Sequence, residues 1–212
     1  MHIPKDEIKN IIPFSKEISL SLCEQHEYDS EKWLYIPHEY REYRYILGTK
    51  GKKPLICIGI NPSTAEPDNL DNTLKSVERI AIGNGFDSFI MFNVYPQRAT
   101  RPDDMSLSVN KDLHRENMNA FAYILSLSSV KPTVWAAWGT IIETRPYLLD
   151  CLIDMIRIGK EYGANWVKCG PLSKNGHPHH PLYLKNDSLL DLFDIEEYHK
   201  TIKHRIYEKE EK

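Results

Sequence analysis

Asn61, Asn93 and His180 are the residues whose types and surroundings point most directly to chemistry. Pro54-Leu55-Ile56-Cys57-Ile58-Gly59-Ile60 is an unbroken apolar run of strand length that stops at Asn61-Pro62-Ser63-Thr64. Ser88-Phe89-Ile90-Met91-Phe92-Asn93-Val94 is a second such run, with an amide near its end. An asparagine side chain offers both a donor and an acceptor, so Asn93 can read the edge of a planar ligand. Asparagine is a weak base, so Asn61 suits the positioning of a water through its amide oxygen, not proton removal. A neutral imidazole at His180 can donate one N–H to an oxygen that gains negative charge, a role for which His177 and His179 compete. Arg98, Arg101 and Lys174, with Lys185, are candidates for phosphate contact. Each has a plainer reading: an Asx turn at Asn61, a capped strand end at Asn93, and ordinary surface charge for the basic residues.

The elements that must position these groups follow from apolar patterning. Helices are expected at residues 13–27, 73–83, 109–127 and 146–158, and strands at 43–47, 54–60, 88–94, 133–139 and, shorter, 166–170. Continuous apolar runs suit parallel strands covered on both faces, and their alternation with helices implies an α/β fold with helices on both sides of the sheet. In such sheets ligands bind beyond the carboxyl ends of the strands. Asn61, the polar and basic segment 93–101, Gly139 and the stretch 177–183 all follow strands, so all should meet at one edge. Trp135 and Trp138 are expected to share a strand face in the core. Residues 195–212 read as a solvated helix that frays at its end.

Composition sets wide limits. The 212 residues are 41% hydrophobic and 27% charged, with a net charge of -3, which suits one domain with a substantial core and neither requires nor forbids nucleic acid. Cys23, Cys57, Cys151 and Cys169 are far apart and read as free thiols of a reducing compartment. The first residues carry charge and lack a long apolar run, and no stretch nears the roughly 20 apolar residues of a membrane helix. A cytoplasmic location is expected. No Gly-x-Gly-x-x-Gly or P-loop pattern follows the run ending at Ile60, so no cofactor is expected. Three closely spaced histidines with Cys169 do not make a regular ligand set, and no metal is expected. Glu66, Asp68 and Asp71 read as a solvated loop that starts the next helix.

Four motifs then resemble one family. Gly59-Ile60-Asn61-Pro62 resembles the Gly-Ile-Asn-Pro motif of mismatch-specific uracil/thymine DNA glycosylases. Phe92-Asn93 resembles the apolar run and asparagine that read the base in uracil-DNA glycosylases, and Val134-Trp135-Ala136-Ala137-Trp138-Gly139 is similar to their Val-Phe-x-x-Trp-Gly strand. His180-Pro181-Leu182-Tyr183 stands where that superfamily places a His-Pro-Ser loop. The resemblance spans about residues 54–184 and implies a divergent branch of the uracil-DNA glycosylase superfamily. It implies a three-layer α/β/α fold on a central, mostly parallel four-stranded sheet, with an N-terminal helical arm and edge element at 1–50, the main domain at 51–190 and a C-terminal helix at 191–212. It further implies a monofunctional DNA glycosylase acting on a flipped base, with Asn61 and His180 catalytic, Gly59, Ile60, Ser63 and Asn93 at the base, and DNA as partner. Two departures bear on substrate. Ser63 stands where standard uracil enzymes carry a tyrosine that crowds the C5 edge, which implies room for thymine or a 5-substituted pyrimidine. The serine of the His-Pro-Ser loop is replaced by Leu182. The alternatives are a nucleotide or nucleoside hydrolase on the same scaffold and a non-catalytic module that binds modified DNA.

Overall fold

Alternating side chains along each strand build two cores, one on each face of a single sheet. The computed structural model describes residues 1–4, 8–23, 26–128 and 130–210. In chain order its elements are α1 (Phe14–Cys23), β1 (Trp33–Ile36), β2 (Ile46–Thr49), β3 (Pro54–Gly59), α2 (Asn72–Gly83), β4 (Ser88–Asn93), α3 (Lys111–Ser126), β5 (Thr133–Ala136), α4 (Pro146–Glu161), β6 (Asn165–Cys169), β7 (Leu190–Leu192) and α5 (Ile195–Glu210). Ile56, Ile58, Ile90, Phe92, Val134 and Ala136 face a core shared with α1, α3, α4 and α5. Their neighbours Leu55, Cys57, Phe89, Met91 and Trp135 face the opposite core, closed by Leu74, Val77, Ile80 and Ala81 of α2. The period of two is that of pleated strands buried on both sides.

The sheet departs from the expected four strands. It has seven, in the order β1-β2-β4-β3-β5-β6-β7. β4, β3, β5 and β6 are parallel, while β1, β2 and β7 are antiparallel additions at the two sides. β1 and β7 are too short for their patterning to stand out, and the strand expected at 43–47 begins three residues later, running from Ile46 to Thr49. Successive connections from β3 and β4 lead to opposite sides of β3, which makes a crevice at its carboxyl end. Trp135 and Trp138 lie in different cores. Three positions apart, they cannot share a face, and β5 ends between them at Ala136.

Local chemistry fixes the helix starts. Asp71 accepts from Leu74 N at 2.9 Å to cap α2, and Asn110 accepts from Asp112 N and Leu113 N, both at 3.1 Å, to cap α3. Pro146 opens α4, where a missing N–H costs nothing. Among the described residues, no helix is long and apolar enough to cross a membrane. Cys57, Cys151 and Cys169 are free and buried; the side chain of Cys23 lies outside the described residues.

Gly48 holds β2 against β4. A Cβ there would stand 2.2 Å from the Phe89 carbonyl oxygen and 2.7 Å from Ile90 Cα, both backbone atoms that cannot swing aside. Gly48→Val is therefore expected to destabilise the protein by about 3 kcal/mol, lowering the melting temperature by roughly 6–12 °C. Gly83→Ala, where a Cβ meets nothing within 4 Å, should leave it level or raise it slightly. Melting curves of the two variants that moved together would refute the steric account.

Candidate functional site

The loop after β3 is tied to the loop after β4, and Asn61 supplies the tie. Its Nδ2 donates to the carbonyls of Pro62 at 3.0 Å and Ala99 at 2.8 Å. Ala99 N returns a bond to Pro62 O at 2.9 Å. With both amide hydrogens engaged, the flip of the side chain is set, and Oδ1 is the group left to act as acceptor. Asn61 lines a cavity of about 310 Å³ at the carboxyl edge of the sheet, together with Ile60, Ser63, Asn93 and His180. Its size suits a small planar ligand.

Asn93 lies at the end of β4 and lines this cavity, yet is only 1% exposed. Among the described residues, no protein group hydrogen-bonds its Nδ2 or its Oδ1. Its backbone is held, because Asn117 Nδ2 donates to the carbonyls of Asn93 at 3.0 Å and Val94 at 3.2 Å. Leaving a buried amide unpaired costs about 1–3 kcal/mol, so a native site that keeps one calls for a reason. Gly59 makes the space beside it: a Cβ there would stand 2.6 Å from Met91 Cε and 3.2 Å from Asn93 Oδ1.

His180 reaches the same cavity from the other side of the sheet edge. Gly139, at φ 64, brings the turn after β5 against it, and a Cβ there would lie 3.6 Å from His180 Cβ. His180 Nδ1 accepts from Leu182 N at 3.3 Å, which places the proton of the neutral ring on Nε2. Burial lowers its pKa below the ordinary histidine value, against an opposing pull from Asp71, so the ring is neutral at pH 7. His177 is spent elsewhere: fully buried, it bonds Tyr198 Oη and Glu143 Oε1, both at 2.9 Å, and Trp138 Nε1 donates to the same hydroxyl at 2.8 Å. That chain of contacts pins α5 to the loop before His180. His179 is half-buried and does not line the cavity.

The basic candidates separate. Arg98, expected on the surface as a phosphate contact, is fully buried. Its guanidinium donates to the carbonyls of Ser63 and Ala65 and to Tyr35 Oη at 2.9 Å, and it stacks on Tyr40 with 4.1 Å to the ring centre. A guanidinium that spends its donors on loop carbonyls supports the loop from beneath and cannot also reach a backbone outside. Arg101 and Lys174 are exposed, and neither lines the cavity. Asp71 lines it while capping α2, and Asp68 accepts from Trp33 Nε1 at 3.0 Å. Among the described residues, no group of three or more His, Cys, Asp or Glu is placed to hold a metal.

Sequence reasoning missed Arg44. It is 1% exposed, lines the cavity and donates to the Ala65 carbonyl at 3.1 Å. Burial pushes its pKa down to about 9, with the neighbouring Arg98 adding to the shift. The available signal was an arginine inside the aromatic run Tyr43-Arg44-Tyr45, where a buried side chain is the rule and a cation the exception.

Comparison with known proteins places these features within one family. No curated protein and no solved structure matches the chain. A family profile described as "Protein of unknown function (DUF1643)" matches residues 44–182, a span that opens at Arg44 and takes in Asn61, Asn93 and His180. The residues that line the cavity at the carboxyl edge of β3 and β4 therefore all lie within that shared span, and the chain belongs to the DUF1643 family.

Proposed function

We propose that the chain is a glycosylase-type hydrolase that cleaves the N-glycosidic bond of a uracil-like or 5-substituted pyrimidine. The observation that carries this reading is the buried amide of Asn93, without a hydrogen-bond partner among the described residues, in the wall of a cavity that Asn61 and His180 also line. Cleavage builds positive charge on the sugar and negative charge on the departing base. Asn93 would hold the base edge, the oxygen of Asn61 would orient a water toward the sugar, and neutral His180 would donate to a base oxygen as charge develops. Ser63, half-buried on the cavity wall, leaves space where a bulkier side chain would close it.

The test is a cleavage assay on labelled oligonucleotides carrying uracil, thymine mismatches, hypoxanthine and 5-substituted cytosines, with alkali to break abasic sites. Asn61→Ala is expected to lose at least about a hundredfold in rate, the scale of removing one positioned polar group. Full activity in Asn61→Ala, or no abasic product from any substrate with folded protein, would refute the reading. One observation favours a second reading, a hydrolase of free nucleosides or nucleotides on the same scaffold. The burial of Arg98 removes a cation from the face that would track a DNA backbone. Release of free base from nucleosides, with oligonucleotides left intact, would select it.

A further inference from the structure

Two guanidinium groups lie buried side by side at this cavity, and among the described residues neither is hydrogen-bonded to a carboxylate. Arg44 and Arg98 are each 1% exposed or less, and both donate to the Ala65 carbonyl, at 3.1 and 3.3 Å. Their other hydrogen-bond partners are the Ser63 carbonyl and the Tyr35 hydroxyl, both neutral. Nε of each is buried and, among the described residues, has no hydrogen-bond partner. Arginine keeps its charge in proteins, and two such charges inside a low-dielectric wall repel each other and have lost their hydration. Arg98 is closed in by Tyr40 and Tyr35, but Arg44 lines the cavity. Asp71, which shares the cavity lining, is the nearby carboxylate, and one of its oxygens caps α2. Glu66 acts on Tyr35 and Tyr40, the tyrosines on which Arg98 also acts, and does not line the cavity. Arg44 and Asp71 thus face the cavity one against one, with Arg98 as a second cation behind its wall.

We infer that the cavity takes an anionic ligand whose negative group sits against Arg44 while a planar amide edge of the same molecule pairs with Asn93. The amide half rests on the base-pocket reading proposed above; the charge half stands without it. An anion at Arg44 satisfies the unpaired Nε or a free N–H and relieves the repulsion between the two guanidiniums, and an arginine fork matches a carboxylate or phosphate in two bonds. Arg44 and Asn93 both line a cavity of only about 310 Å³ and are each 1% exposed, so the charge belongs close to the ring. A carboxylate carried on the pyrimidine ring meets that condition directly; the phosphate of a mononucleotide is the other source of the same chemistry.

Isothermal titration calorimetry with four free ligands separates these sources. The probes are uracil, 5-carboxyuracil, uridine and uridine 5′-monophosphate. The expected result is that 5-carboxyuracil binds at least about tenfold tighter than uracil, and that the gain vanishes in Arg44→Met, which keeps the aliphatic stem. A gain of uridine 5′-monophosphate over uridine, also lost in Arg44→Met, would keep the anion site and assign it to phosphate. No gain for either anion in the wild-type protein overturns the inference, as does a gain that persists in Arg44→Met. If Arg44→Met does not fold, Arg44→Lys replaces it: a point charge without the fork should shrink the gain several-fold, and an unchanged gain overturns the assignment. The outcome is separable from that of the cleavage assay. Tight 5-carboxyuracil binding without abasic product from any oligonucleotide leaves this site standing and removes the glycosylase reading. Cleavage of uracil with no preference for an anion does the reverse.

Discussion

Asn93→Leu is expected to yield a protein more stable than the natural one and inactive. The two effects have one cause. In the folded protein the Asn93 amide is 1% exposed, and among the described residues neither its nitrogen nor its oxygen is hydrogen-bonded by the protein. Removing an unpaired buried amide returns part of a desolvation cost of about 1–3 kcal/mol. Leucine has the same branching and number of side-chain heavy atoms but is bulkier, and the cavity that position 93 lines and the flexible Met91 Cε beside Gly59 give its methyl groups room. A net gain of about 1 kcal/mol would raise the melting temperature by roughly 2–4 °C in a chain of this length. Turnover should fall by a factor of about a hundred or more, because the amide would read the ligand edge and an apolar group there leaves that edge unpaired. Asn117 supplies the contrast. It is equally buried, but its Nδ2 holds two backbone carbonyls at the end of β4. Asn117→Leu should therefore destabilise by about 1–3 kcal/mol. Thermal melts of the two variants with opposite signs would establish Asn93 as a group kept for binding. A fall in both would make Asn93 a structural amide and remove the observation on which the proposed function stands.

Much of this site was legible because strand ends leave a clear mark. Ile58, Gly59 and Ile60 stop at an Asn-Pro pair, Phe92 stops at an asparagine, and parallel strands place both ends on one edge. Asn61, Ser63, Asn93 and His180 accordingly meet at one cavity. What was hidden depends on pairing and depth. β7 has three residues, and the outer ones differ little from a loop in composition. The aromatic run around Arg44 reads as a strand by propensity, but Arg44 and Tyr45 bond instead to the carbonyls of Pro96 and Ile36, and regular pairing begins only at Ile46. The depth of Arg98 was likewise invisible. A basic residue in a polar loop normally faces water; here the Asn61 tie folds two loops over it, so that Ser63 and Ala65 turn their carbonyls inward. The same long-range closure that makes the cavity thus buries the cation expected outside.

That closure leads to the second large effect, at Asn61→Asp. A carboxylate at this position would be a stronger base than the amide, and on chemistry alone it should speed the activation of water. The structure argues the opposite. Both hydrogens of the Asn61 amide are given to carbonyl oxygens, at 3.0 and 2.8 Å. Aspartate has the same shape and no hydrogens to give, so one carboxylate oxygen would confront two carbonyl oxygens in a half-buried site. Ionisation there is disfavoured, and the folded-state pKa rises above the roughly 3.9 of a free aspartate. For an acid whose folded pKa is raised, stability is fully present below the unfolded pKa and is lost as pH rises through the folded pKa. Asn61→Asp should thus lie about 1 kcal/mol below the natural protein at pH 4, where a protonated carboxyl keeps one of the two bonds, and about 2–4 kcal/mol below it at pH 8, the cost of two lost bonds and an unpaired charge. Turnover at neutral pH should drop by about a hundredfold, because the loop from 61 to 63 loses its hold on Ala99 and the water-orienting oxygen loses its fixed place. Chemical denaturation at pH 4, 6 and 8, beside the cleavage assay, measures both. Stability that stays level with pH, together with turnover at or above that of the natural protein, would show that the amide tie is dispensable and that position 61 acts by basicity.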